Sequence, residues 1–368
     1  MDYEIKIFTE LNQSLKNDWN SLELNSSNYC FQTYDWFDHW VNKYRKNNKE
    51  NLLQVVVIKK NSRLQCILPF EIESKFKIKV LKWASNNQTD YCSPIISKDF
   101  DPSKETFINL FKKIIKEIKN FDIIYFTKQP EYINSIKNPF TNFLKNYEDS
   151  KIYYINLPKT WDDFTSITLK KDFHLQNLRK KKSLKKLGNL KYKVLINPDE
   201  KKKYLDELFI QKNIRLSSRN IKEAFKLIDF EFYKEFEKIS LKNISTHVSS
   251  LELDNEIIAI HWGIIHKNRF YYLLLSMKEG KFKRFSPGRL LISLLIRWSI
   301  SKKLKIFDFT LGEEDYKKSW SNSEFILYNY IYLNNIKGFF LFSLIKFKLF
   351  LKSFKYIKKI SNKIRQTL

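Results

Sequence analysis

The chain has 368 residues and a formal net charge of +27, long enough for two units that each bury a core. Hydrophobic residues at 43% and aromatics at 16% exclude a disordered chain, and no apolar run reaches the roughly 20 residues of a membrane-spanning helix. The positive charge would suit a polyanion, but lysine greatly outnumbers arginine, which argues against specific nucleic-acid readout because arginine makes the bidentate contacts to phosphates and bases.

The opening stretch alternates acidic, basic and apolar residues, the pattern of neither a signal nor a transit peptide. Cys30, Cys66 and Cys92 are widely spaced and odd in number, which gives no metal-ligand pattern and fits a reducing cytoplasm. Residues 52–70 predict two strands joined by a Lys-Asn-Ser turn, with Pro69 ending the second. A helix follows over 107–119 and a strand over 121–126. Residues 174–193 predict a basic helix stopped by Gly188, either a solvated face or a cationic surface that steers an anion into a cleft. The stretch 198–236 has helical signals without a sustained heptad.

The hairpin design then returns over 247–263, with an Asp254-Asn255 turn, followed by the strand RFYYLLLS, a helix over 290–302 and a strand over 305–310. Hairpin, helix and strand in the same order predict two related α/β units in tandem. The second helix opens in KRFSPG. Its Arg284, Ser286, Gly288 and Arg289 lie where free backbone N–H groups and the positive end of a helix dipole favour a diphosphate. An ordinary capped helix with Pro287 in its first turn reads the same way. The tail over 337–365 places Phe340, Leu344, Phe347, Leu351 and Phe354 on one helical stripe with lysines largely off it, the profile of an interfacial membrane helix or of a helix docked on the fold.

Several of these residues also carry a family resemblance. The aromatic phrase FQTYDWFDHW (31–40), TDYCSPII (89–96), the basic NLRKKKSLKKLG (177–188), AIHWG (259–263), SPG (286–288) and GEEDYK (312–317) occur in this order. Over about 28–330 the chain thereby resembles the GNAT-superfamily acetyltransferases of the CelD-like, FemAB-related branch. The superfamily's usual Gly-rich diphosphate loop is not present in its common form, so 284–289 would take its place.

The resemblance implies a fold of two GNAT-like lobes, each a twisted mixed α/β sheet flanked by helices. The bounds are 1–150 for the first lobe, 151–200 for a linking strand and basic helix, 201–335 for the second lobe with an acyl-CoA site, and 336–368 for the amphipathic helix. It further implies transfer of an acyl group from acetyl-CoA or a longer acyl-CoA to an amine, without a metal. The acceptor would be an amino sugar, sugar nucleotide or lipid-linked glycan precursor in surface polysaccharide assembly, and the enzyme would be cytoplasmic, with the 337–365 tail as its contact to the inner face of the membrane. Such a reaction needs a base for the ammonium and an acid for the leaving thiolate. His261 is the first candidate base and Asp308, between Phe307 and Phe309, the second. Glu314 matches the family's loop acid, and Tyr316 is the candidate proton donor. Asp90, Tyr91, Lys317 and Trp320 are candidate acceptor contacts. Two alternatives stay open: a FemAB-type aminoacyltransferase fed by charged tRNA, and a non-catalytic module binding membrane or polyanion.

Overall fold

A computed structural model describes residues 3–44, 51–75, 77–218, 227–312 and 314–344. Most of the amphipathic tail, including Phe347, Leu351 and Phe354, lies outside the described residues.

Two short turns organise the sheets. Asn61 and Ser62, with φ of 51° and 61°, join Leu52–Lys60 to Arg63–Lys75. Asp254 and Asn255, at 48° and 68°, join Ser245–Leu253 to Glu256–His266. A pair of left-handed residues matches the twist of a hairpin, and short polar side chains tolerate that conformation. Pro69 does not end its strand as expected, because the strand changes partner there. Cys66 and Ile67 pair with Ile95–Ser97, whereas Phe70 to Lys75 pair with Ile78–Trp83, so the missing N–H falls at the switch.

In each half a third strand leads through a crossover helix to a parallel strand. The first half uses Ile78–Trp83, Lys104–Glu117 and Ile123–Pro130. The second uses Arg269–Met277, Pro287–Ser301 and Ile306–Asp308. Parallel neighbours require such a crossover. Phe107, Leu110, Phe111 and Ile114 bury one face of the first helix, and Leu291, Leu295 and Ile296 anchor the second.

The order of strands shows how the repeat closes. From one edge it runs Tyr3–Phe8, Leu52–Lys60, Arg63–Lys75, Ile78–Trp83, Ile123–Pro130 and Ser323–Leu333. It continues through Asn146–Asn156, Ile306–Asp308, Arg269–Met277, Glu256–His266, Ser245–Leu253 and Leu190–Leu195. Read inward from either edge, the sequence of elements is the same, as tandem units related by a pseudo-twofold axis require. The two central strands are exchanged. Asn146–Asn156 closes the first unit in the chain but pairs with Ile306–Asp308 of the second, and Ser323–Leu333 pairs with Ile123–Pro130 of the first. The two also pair with each other, so one continuous sheet replaces two separate ones, and a boundary drawn at residue 150 falls inside a strand.

Aromatic packing adds to this join. In Tyr34–Tyr44, the helix of the 31–40 phrase, Trp36 stacks on Phe236 with ring centroids 5.2 Å apart. His39 Nε2 lies 2.7 Å from the carbonyl of Phe232. One apolar core runs from these rings to Trp262 and Tyr271, and a second surrounds Pro287–Ser301.

Candidate active site between the lobes

The start of Pro287–Ser301 is built by Ser286, which takes φ 53° and turns the chain into the helix. Its N–H donates to Lys283 O at 3.0 Å, and its carbonyl accepts from Arg289 and Leu290 N–H at 3.0 and 3.2 Å. Pro287 has no N–H, so the cluster of free amides expected here reduces to that of Gly288. A side chain at Gly288 would begin 3.1 Å from Leu275 Cδ2, so the glycine lets the helix lie close on its strand.

Positive charge gathers at this helix start. The basic helix, Lys171–Lys185, lies across it. Lys180 Nζ donates to Ser286 Oγ at 2.6 Å. Arg289 donates to Asn177 Oδ1 and, at 2.7 Å, to Gln176 Oε1, while its guanidinium lies 4.3 Å from the Phe173 ring centre. Burial, then the charge of Arg289, lowers the Lys180 ammonium from the ordinary lysine range. Arg284 covers the ring of Phe285 at 4.8 Å. Gly188 does not stop the basic helix with a left-handed cap. A Cβ there would strike Asp254 Oδ2 at 1.9 Å, so close approach of the loops dictates the glycine.

His261 and Asp308, the two candidate bases, are both enclosed in the fold. His261 is fully buried, stacked on Tyr272 at 4.8 Å and 14°, with His247 6.2 Å away. Neither of its ring nitrogens has a partner among the described residues. Burial, then His247, pushes its pKa well below the usual imidazole value. The ring is neutral and fully enclosed among Phe270, Tyr272 and His247. Asp308 is also fully buried, and both its oxygens are engaged: Oδ2 accepts from Arg269 Nη1 at 2.8 Å, Oδ1 from Tyr91 O–H at 2.6 Å and Thr310 N–H at 2.8 Å. Its ion pair with Arg269 lies within the second lobe, and the hydrogen bond from Tyr91 ties it to the first.

Tyr91 therefore belongs to the seam and not to an open acceptor surface. Its neighbour Asp90 faces the second lobe's loop, where Leu311 N–H approaches Oδ2 at 3.4 Å. Burial raises the Asp90 pKa above the ordinary carboxylate value, against the opposing pull of Lys128. Gly312, at φ 119°, folds the loop so tightly that a Cβ would lie 2.4 Å from Glu314 Oε2. Lys317 is buried and spans the loop, donating to Leu311 O at 2.7 Å and pairing with the exposed Glu314 at 3.0 Å. It holds the loop in place. Trp320 is buried edge-on to Phe173, with centroids 5.0 Å apart, and is a packing residue. Tyr316 is half-buried, and its hydroxyl is pushed up to about 12, chiefly by burial.

Arg269 was not anticipated: it starts a strand, and only the assembled sheet brings Asp308 and three tyrosine rings around it. Lys212, on Pro198–Ser217, is close enough to Arg215 and Glu314 to feel their charges, and burial, then Arg215, lowers it to about 8. No helix among the described residues is long and apolar enough to cross a membrane, and no described cluster of His, Cys, Asp and Glu could hold a metal.

Residues 173–318 match the family model described as "Acetyltransferase (GNAT) domain". Comparison with curated proteins yields no match. Among solved structures, FemX is 9% identical and aligns over 94% of this chain and 100% of its own, with a TM-score of 0.60. A conserved protein of unknown function from Bacteroides thetaiotaomicron is 11% identical, over 90% and 100% of the two chains, at 0.54. L-PGS from Bacillus licheniformis is 10% identical, over 90% and 95%, at 0.52. At these identities the structures share the fold with this chain and nothing finer. The fold is a two-lobed α/β arrangement whose second half carries the match to an acetyltransferase domain. Residues 173–318 are similar to the GNAT acetyltransferase domain, and the chain as a whole shares the fold of FemX.

Proposed function

We propose that the protein moves an acyl group from an acyl-CoA to an amine. The acceptor proposed is an amino sugar, sugar nucleotide or lipid-linked glycan precursor used in surface polysaccharide assembly. The observation that carries the donor half is the cationic start of Pro287–Ser301. Lys180, Arg284 and Arg289 gather there, and burial, then the charge of Arg289, disfavours the ammonium of Lys180. A diphosphate would relieve that repulsion and meet the positive end of the helix dipole. The acyl-CoA would supply the activated thioester.

Asp90 best fits the base, because it meets the second lobe's loop at Leu311 and burial favours its uptake of a proton. It would take the ammonium proton of the acceptor. The amine then attacks the thioester carbonyl and a C–N bond forms. As the C–S bond breaks the thiolate takes the proton of Tyr316, the nitrogen's remaining extra proton passes to the tyrosinate, and Asp90 releases its proton to solvent. A hydroxyl held up at about 12 stays protonated until the thiolate leaves. Glu314 and Lys317 fix the loop that carries Tyr316. Asp308, Arg269 and Tyr91 keep the two lobes in register and act as positioning residues.

The described part of the C-terminal segment supports peripheral contact with a membrane. Ile336, Phe339 and Phe340 are 85%, 58% and 62% exposed, and lysines follow them in the sequence.

Thermal unfolding against a panel of CoA thioesters tests the donor, since a ligand bound only by the folded state raises the melting temperature. Stabilisation that is lost in Arg289→Ala is expected. A flat response to every thioester, acetyl to long-chain, would remove the reading.

A further inference from the structure

We infer a second binding site, for a hydrogen-phosphate or phosphomonoester group, in a cavity of about 190 Å³ at the other end of the lobe seam. Asn28 and Asn134 contribute from the first lobe, and His266, Lys267, Arg269 and Lys305 from the second. Arg269 starts the strand whose far end, at Leu275 and Met277, lies against Gly288. Eight residue steps along a strand span roughly 26 Å. The cavity is therefore separate from the cationic helix start.

The chemistry of the lining selects the ligand. Among the described residues neither Lys267 nor Lys305 has a carboxylate within ion-pair distance, and no carboxylate lines the cavity. Lys267 donates to Ser26 O at 3.0 Å and Asn28 Oδ1 at 2.8 Å, so its ammonium is fixed across the seam. Burial lowers its pKa from the ordinary lysine value, against the opposing pull of the more distant Glu23. Asn134 Nδ2 donates to Asn28 O at 3.0 Å and holds the opposite wall.

His266 adds the discriminating group. It is 3% exposed, its Nδ1 is 2.8 Å from Asn243 O, and its Nε2 has no partner among the described residues. A carbonyl only accepts, so Nδ1 carries the hydrogen and Nε2 presents a lone pair. Burial holds the imidazole at about 4, so it stays neutral near pH 7. Arg269 is already paired with Asp308, so a ligand satisfying the remaining groups needs negative oxygens for Lys267 and Lys305 and one O–H for Nε2. Hydrogen phosphate and the monoanion of a phosphomonoester have both, whereas sulfate has no proton to donate at neutral pH.

The test is calorimetric titration of the full chain with inorganic phosphate, sulfate and glucose 1-phosphate at one ionic strength. It is run on Arg289→Ala, so that the proposed donor site is silent. Phosphate is expected to bind roughly tenfold or more tightly than sulfate, the scale of one lost hydrogen bond to a charged group. Lys305→Glu, at an exposed position, is expected to abolish that binding, and Lys267→Met to weaken it. Tighter binding of glucose 1-phosphate would identify a phosphosugar as the ligand, and equal binding would identify free phosphate. Sulfate binding as well as phosphate, or phosphate binding Lys305→Glu as well as the parent chain, would overturn the inference. Either result leaves the thioester experiment untouched.

Discussion

Replacing Asp308 by asparagine tests whether this residue joins the lobes or performs chemistry. The pair with Arg269 is 2.8 Å long, and the side chains are 10% and 0% exposed for Arg269 and Asp308. The substitution keeps the shape and an acceptor for Tyr91 and Thr310 but removes the charge facing a buried guanidinium. Breaking a buried pair on one side costs about 3–5 kcal/mol, because the remaining charge is left uncompensated. Tyr91→Phe removes one hydrogen bond to a charged acceptor and is expected to cost about 1.5–3 kcal/mol. Both share Oδ1's neighbourhood, so the double variant should fall short of the sum. Urea unfolding followed by tryptophan fluorescence reads these losses as shifts in midpoint at constant slope. Arg269→Met combined with Asp308→Asn should recover part of the loss, since no buried charge then remains. Stability of Asp308→Asn within about 0.5 kcal/mol of the parent, with activity abolished, would refute the structural role and return Asp308 to the chemistry.

Asp90→Asn is expected to lower kcat by about a hundredfold or more, the usual range for a lost general base, with the melting temperature little changed. In the parent chain the acid limb of kcat/KM should sit above the ordinary carboxylate range, because Asp90 works only once deprotonated and burial raises its pKa. A limb near the ordinary value would remove it as base. Glu23 is raised to about 8, chiefly by burial. The folded state then binds a proton that the unfolded state has lost, so stability falls as pH rises from the ordinary glutamate value to about 8. Glu23→Gln should flatten that slope, as read by urea midpoints across the window. His247 is lowered to about 3, chiefly by burial, so the unfolded chain takes up a proton first as pH falls below about 6.5. His247→Gln should therefore lessen the loss of stability between about pH 6 and 4, and an unchanged acid limb would contradict this. Deleting residues 337–368 should move the protein from sedimented anionic vesicles to the supernatant. Equal partitioning of the two forms would end the membrane proposal.

Much of the fold was legible because it is local. The Asp254-Asn255 turn, the Lys104–Glu117 stripe and the Ser-Pro-Gly start of the second crossover helix each depend on neighbours within a few residues. Backbone preference and apolar spacing therefore betray them in the chain, and their recurrence betrays the duplication. The exchange of Asn146–Asn156 and Ser323–Leu333 left no such trace, since both are ordinary strands and pairing partners are chosen across the whole chain.

The candidate site divides along the same line. The sequence picked out Arg284, Ser286, Gly288, Arg289 and Tyr316 from motif and spacing. Only the assembled structure decided that Asp308 is held by Arg269 and Tyr91, the latter 217 positions away, and that His261 is sealed while Asp90 meets the second lobe. Residue type and spacing fix which groups a segment can offer. Burial and partners decide which charge each group carries and what it can reach, and both are properties of the packed chain alone.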